Sequence, residues 1–309
     1  MAGWEYELLF DVEDMESMTP LEAAARMEAG DRWKTEETGV RRGRMGYRTR
    51  TTKAGPRLEA EIYPIFGKEQ EETAREAKQR ITPERIRKHN DEQARRKLVR
   101  LMDANFGRGD YSLTLTYEGE APGWERAQRD TANFIERVKR LRRKLGLPEM
   151  KYIYALEWSA GDREKRTHCH LVTQGDIPRE YLEQMWNQEG RNRVRRGFVN
   201  CDELQPTKEG LEALARYLYN QNPGLPRQKG QRKYSCSRNL RKPKTRISDT
   251  KVTGGKVKKL AHVFGTDESE ARRIMERLYP GYEYVRGSAK GSDVITDGVY
   301  IRVLMRKRE

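Results

Sequence analysis

A chain of 309 residues with 63 Lys and Arg against 48 Asp and Glu carries a formal net charge of +15, a field that attracts polyanions and points to nucleic acid before a small acidic substrate. A hydrophobic fraction of 35% beside a charged fraction of 36% fits a catalytic region with polar extensions rather than one dense globule. No segment approaches the roughly 18 apolar residues of a membrane span, and the acidic opening "MAGWEYELLFDVEDMESM" lacks the apolar run of a signal peptide, which indicates a soluble, cytoplasmic protein with no membrane partner.

In chain order, residues 1–45 form an acidic N-terminal extension, with a short helix expected at "TPLEAAARMEAG" behind Thr19-Pro20. Residues 46–106 read as a hairpin plus a helical region. Alternation through Tyr47, Arg48, Thr49, Arg50 and Thr51, broken at Ala54-Gly55-Pro56, predicts the hairpin. The stretch 68–106 predicts helix interrupted at Thr82-Pro83, with Ile86, Ala94, Leu98 and Leu101 as its apolar stripe.

Residues 107–224 hold the expected catalytic domain. "DYSLTLTYEG" (110–119) alternates Tyr111, Leu113, Leu115 and Tyr117 against Ser112, Thr114 and Thr116, a strand signal. A helix with Phe134, Val138 and Leu141 along one side follows, then strands at 150–158 and 167–175 joined as a hairpin. A helix at "PREYLEQMWNQEG", a strand at "GFVNCDEL" and a helix over 207–224 complete the domain. That order predicts an α+β fold, a central antiparallel sheet backed by helices, with N- and C-terminal extensions. Residues 225–309 comprise a basic ribbon and a small C-terminal α/β unit, a helix at "DESEARRIMERLYPG" and a strand at "GVYIRVLMRK".

The chemistry gathers around "THCHLV". Alternation projects His168 and His170 to one side of a strand and Cys169 to the other, which argues on steric grounds against a three-ligand His-Cys-His site. Cys169, Cys201 and Cys236 include no CxxC pair, which argues against a disulfide framework or zinc ribbon and for a reduced, intracellular protein. Two histidines hold a hard ion poorly without an oxygen ligand. Glu157 of "YALEW", carried beside them by the hairpin, completes an N,N,O set suited to Mn²⁺ or Mg²⁺ in phosphoryl transfer. The plainer alternative is a polar strand face that binds nothing. The last helix offers Tyr217 and Tyr219 as nucleophiles. Two positions apart on a helix lie roughly 200° round the axis, so at most one faces the ion, and periodicity does not choose between them.

Taken in order, "YSLTLTY", "THCHLV" and "ALARYLYNQ" resemble the three-part signature of the HUH endonucleases, specifically rolling-circle replication initiators of phages, plasmids and prophages. "TKAGPRLEAEIYPIF", "NFIERVKRL", "KYSCSRNLRKP", "YPGYEY" and "GVYIRVLMRKR" extend the likeness from about residue 47 to the C-terminus. The resemblance implies an HUH nuclease domain of ferredoxin-like or RRM-like build over 107–224 and work inside a bacterial host cell. It implies Tyr217 as the catalytic tyrosine, with Tyr219 the alternative, in the single-tyrosine branch. Asn220 stands where relatives carry a site lysine.

The implied activity is nicking and rejoining of single-stranded or hairpin origin DNA through a 5′-phosphotyrosine. It leaves a 3′-OH primer for host polymerase, and a host helicase unwinds the duplex. A relaxase or single-strand transposase shares this chemistry, and a non-catalytic single-strand DNA-binding protein is the reading from another class.

Between Arg227 and Lys259 stand thirteen Lys and Arg against one acid. Arg227, Lys229, Arg232, Lys233, Arg238, Arg241, Lys242, Lys244 and Arg246 are expected to track phosphates, with Tyr234 stacking on a base. Gly and Pro in this segment predict loop and ribbon rather than helix.

Overall fold

The computed structural model describes residues 46–65, 83–120, 122–157, 166–187, 195–221, 232–291 and 298–308. The 1–45 extension with its expected helix, and the 68–82 part of the long helical stretch, lie outside the described residues. In chain order the elements are β1 (Gly46–Ala54), β2 (Arg57–Ile65), α1 (Pro83–Asn105), β3 (Tyr111–Thr116), α2 (Trp124–Lys144), β4 (Tyr152–Glu157) and β5 (His168–Thr173). There follow α3 (Arg179–Asn187), β6 (Val199–Glu203), α4 (Glu212–Tyr219), β7 (Ser235–Cys236), β8 (Lys244–Ser248), α5 (Gly254–Thr266), α6 (Glu268–Leu278), β9 (Tyr282–Gly291) and β10 (Val299–Lys307). The chain is α+β, with two antiparallel five-stranded sheets and helices packed against them. No described helix is long and apolar enough to cross a membrane.

Two compact units divide the described chain, one built from 46–97 with 244–308 and the other from 98–243. In the first, β1 and β2 form the hairpin expected at Gly55, where φ is +58° and a side chain would be strained. That hairpin lies inside a sheet of order β8-β1-β2-β10-β9, so a region read from sequence as separate from 225–309 shares its hydrogen bonding. Leu58, Ala60 and Ile62 of β2 and Ile301, Val303 and Met305 of β10 bury one face together with Val257, Leu260 and Met275. Helix α5 corrects the ribbon expectation for this stretch. Val257, Leu260 and Val263 recur at helical spacing and are buried, while the breakers Gly254 and Gly255 sit in the first turn, where they interrupt nothing.

The unit 98–243 contains the strands and helices expected over 107–224, in the expected order. Its sheet runs β6-β3-β5-β4-β7. Leu113 and Leu115 of β3, Leu156 of β4 and Cys169 and Leu171 of β5 turn to one face. There they pack on α2 and α3, and Ala127, Phe134 and Val138 of α2 repeat at helical spacing toward them. Trp186 of α3 is fully buried, set edge-on to Tyr117 and Phe134. Its indole N–H donates to the Thr116 carbonyl at 2.9 Å, so the largest core side chain leaves no polar atom unpaired. Arg142, 2% exposed, donates to the Pro148 carbonyl and forms a two-pronged pair with the Asp176 carboxylate. The opposite face of the sheet, carrying Thr114, Glu157, His168 and His170, receives α4 against β4.

Candidate active site

Register decides which polar side chains meet. Glu157 lies opposite His168 in the β4–β5 ladder and Thr116 opposite it in the β3–β5 ladder, while Thr114 faces His170. Because paired residues share a face, the glutamate, both histidines and both threonines project together. The Nε2 atoms of His168 and His170 stand 2.9 Å apart, and Oε2 of Glu157 lies 3.2 Å from the first and 3.9 Å from the second. One ligand atom from each of the three lies within 4.8 Å of the others, the one such His, Cys, Asp or Glu cluster among the described residues. Cys169 turns away, as strand alternation requires. Burial pushes its thiol up to about 12, so it is an inert core residue.

The second layer sets which ring nitrogens carry protons. Nδ1 of His168 meets the Arg166 carbonyl at 2.7 Å, and a carbonyl only accepts, so Nδ1 carries the hydrogen and Nε2 presents its lone pair. Nδ1 of His170 lies 3.2 Å from the Thr114 hydroxyl, which can accept from it and leave the second Nε2 lone pair aimed at the same point. Burial first, then the neighbouring His168, depress the His170 pKa to about 4, so this ring is neutral at physiological pH. Two lone pairs and a carboxylate oxygen converging at this distance repel one another unless a proton or cation sits between them. Donors held by one small divalent ion at about 2.1 Å and at right angles stand about 3.0 Å apart, which the two imidazoles match. The residues present therefore fit an ion of this kind.

Helix α4 supplies the remaining group. The hydroxyl of Tyr217 lies 3.1 Å from His170 Nε2, its ring meeting the imidazole edge-on at 4.9 Å, and the residue is 51% exposed. Tyr219 is turned the other way and is 4% exposed, with Lys233 Nζ 4.0 Å above its ring and Tyr234 beside it. The helical stripe is completed by Ala215 and Leu218, both fully buried. The helix start is fixed from outside: the buried Asp103 carboxylate of α1 accepts the Leu211 N–H at 2.8 Å. Asn220 is exposed at the helix end, where its own N–H closes the last turn on the Arg216 carbonyl.

Of the expected DNA contacts, Arg227 and Lys229 lie outside the described residues. Arg232, Arg238, Arg241 and Lys242 are exposed in the unit 98–243, Lys233 and Tyr234 pack near Tyr219, and Lys244 and Arg246 are exposed on β8 of the other unit. Three contributors escaped the sequence reading: Thr114, the Arg166 carbonyl and Asp103. Thr114 was the findable one, since it shares the polar face of β3, and a strand pairing places such a residue beside His170. No protein-family model matches the chain, and neither a curated protein nor a solved structure matches it.

Proposed function

We propose that the unit 98–243 is a metal-dependent DNA nicking and joining domain of the HUH type. Within that class, the reading is a rolling-circle replication initiator acting on single-stranded or extruded origin DNA. The observation that carries the proposal is the meeting of the half-exposed Tyr217 hydroxyl with the Glu157–His168–His170 cluster. A nucleophile, an ion-binding set and an open approach for a polymeric substrate then occupy one face of one sheet.

Glu157, His168 and His170 would hold Mn²⁺ or Mg²⁺, which supplies polarisation of the scissile phosphate worth several kcal/mol in the transition state. The chain's own contribution is positional. Asp103 fixes the start of α4, and buried Ala215 and Leu218 seat the helix on the sheet. The Tyr217 oxygen therefore meets the phosphorus from a fixed direction. As the new phosphorus–oxygen bond to Tyr217 forms, the bond to the departing 3′-oxygen breaks, that oxygen gains a proton and the tyrosine loses one. One phosphodiester replaces another, so attack by a 3′-hydroxyl reverses the step without ATP. The exposed Arg232, Arg238, Arg241 and Lys242 give the electrostatic means to hold the strand.

The test is covalent capture. With labelled single-stranded candidate origin oligonucleotides and Mn²⁺, the wild-type chain forms an adduct that survives denaturing electrophoresis. Tyr217→Phe abolishes it and Tyr219→Phe retains it. An adduct persisting in Tyr217→Phe would overturn the assignment of the nucleophile. Absence of any adduct across divalent ions and origins, with DNA binding intact, would convert the reading to a single-strand DNA-binding protein.

A further inference from the structure

A second feature of the unit 98–243 lies on the other side of its sheet from the tyrosine. Beside the two-residue edge strand β7 opens a cleft of about 300 Å³, small for a ligand pocket. Trp124, the first residue of α2, and Gln128 one turn later form one wall. Tyr154 of β4 lines the cleft between them and the segment carrying Arg232, Tyr234 and Ser235. Tyr154 and Leu156 pair with Leu171 and Cys169 of β5, so they point away from the face that carries Glu157 and the histidines.

The lining has a consistent chemistry. Trp124, Tyr154 and Tyr234 are its aromatic members, the open lining is mostly polar, Gln128 and Ser235 supply neutral donors and acceptors, Arg232 supplies the one charge, and no lining residue is acidic. The aromatic surface continues along β4, where Tyr152 stacks on Tyr154 at 6.2 Å and Lys139 Nζ sits 5.5 Å from the Tyr152 ring centroid. A row of partly exposed rings interleaved with cations is how a chain binds an unstacked nucleic-acid strand: rings take base faces and cations take phosphates. An acidic peptide would use the cations and leave the rings idle.

We infer that this cleft takes one unstacked base of the DNA strand whose backbone is cut at Tyr217, with Gln128 reading the base edge and Arg232 holding the adjoining phosphate. The inference rests on DNA being the substrate, as proposed above. Tyr154 and Glu157 are three residues apart on one strand, about 10 Å, so a single strand that rounds the short edge at β7 reaches both faces. The cleft is then a specificity element remote from the bond that breaks.

The experiment uses the full chain in EDTA, where cutting is suppressed, and follows fluorescence anisotropy of labelled single-stranded oligonucleotides of mixed and homopolymeric sequence. Trp124→Leu is expected to weaken binding about 5- to 150-fold, the cost of one lost stacking partner. Gln128→Ala, at a partly exposed site where folding is not at stake, is expected to flatten the preference among homopolymers. A wild-type chain that binds DNA with both variants unchanged would overturn the cleft and leave the nicking proposal standing. Weakened variants in a chain that forms no covalent adduct would uphold the cleft while the nicking proposal fails. A free nucleoside monophosphate is the competing source of the same chemistry. If it displaces the oligonucleotide at concentrations comparable to the oligonucleotide's own dissociation constant, the site is a mononucleotide pocket and the inference falls.

Discussion

Gly210 tests how Tyr217 is held in place. Its φ is +73°, and a Cβ built there would collide with Oδ1 and stand 2.5 Å from Oδ2 of Asp103, the carboxylate that receives the Leu211 N–H. Gly210→Ala therefore does two things. It places an alanine in the left-handed region, at about 1–2 kcal/mol, and it drives the carboxylate from a buried hydrogen bond worth about 1.5–3 kcal/mol. The sum, about 2.5–5 kcal/mol, is a large share of the roughly 5–15 kcal/mol that holds a domain folded.

Urea denaturation reads the loss, and covalent capture reads its effect on Tyr217, seven residues further along. Asp103→Ala removes the group that the added methyl strikes. The double variant should therefore cost less than the sum of the two singles by about 1 kcal/mol or more. An unfolding midpoint unmoved by Gly210→Ala, or strictly additive costs, would refute the idea that Asp103 and Gly210 together fix the start of α4.

Three further outcomes follow from the same geometry. Thr114→Val removes the hydroxyl beside His170 Nδ1 at nearly constant volume and should weaken Mn²⁺ binding about 10- to 100-fold by calorimetry; an unchanged affinity would sink the tautomer argument. Asp176→Ala leaves the guanidinium of Arg142 buried and unpaired, at about 3 kcal/mol or more in urea denaturation. Arg142→Met, which removes the charge itself, should cost clearly less, and the reverse order would contradict this account. In a thiol-titration assay on the folded protein, exposed Cys236 should react first. Cys201, with its thiol raised to about 11 chiefly by burial, should react slowly, and Cys169 only after unfolding; fast labelling of Cys169 would show that β5 opens to solvent.

The parts of this fold that were legible in sequence are those whose signal is local. The two-residue period of 111–117 announced β3 and its buried Leu113 and Leu115, and the same period turned Cys169 away from the histidines. Glu157 was reachable because a hairpin brings its strand beside the next. The choice between Tyr217 and Tyr219 was not local, since both border one apolar stripe. What separates them is a cover supplied by Lys233 and Tyr234, from a later segment, over Tyr219 alone. The second sheet left still less trace. Thr52 meets Thr245 across 193 residues, and pairing over that distance imprints no pattern on either strand beyond what an ordinary hairpin shows.

The interleaving of the two units sets an order of events on the ribosome. Synthesis runs from the N-terminal end, so every strand of the 98–243 sheet has been made before any residue of β8, β9 or β10 exists. Throughout that interval the β1–β2 hairpin has both outer edges unpaired, the condition under which strands recruit neighbouring chains. Arg48, Arg50 and Lys53 on one strand, and Arg57, Glu59 and Glu61 on the other, place a charge at nearly every second position of the waiting hairpin. In the finished sheet some of these charges find ion-pair partners from the later chain, Arg48 with Asp249 and Glu61 with Arg302. During translation the same residues act as gatekeepers, keeping the nascent hairpin soluble until the far end of the chain arrives to flank it.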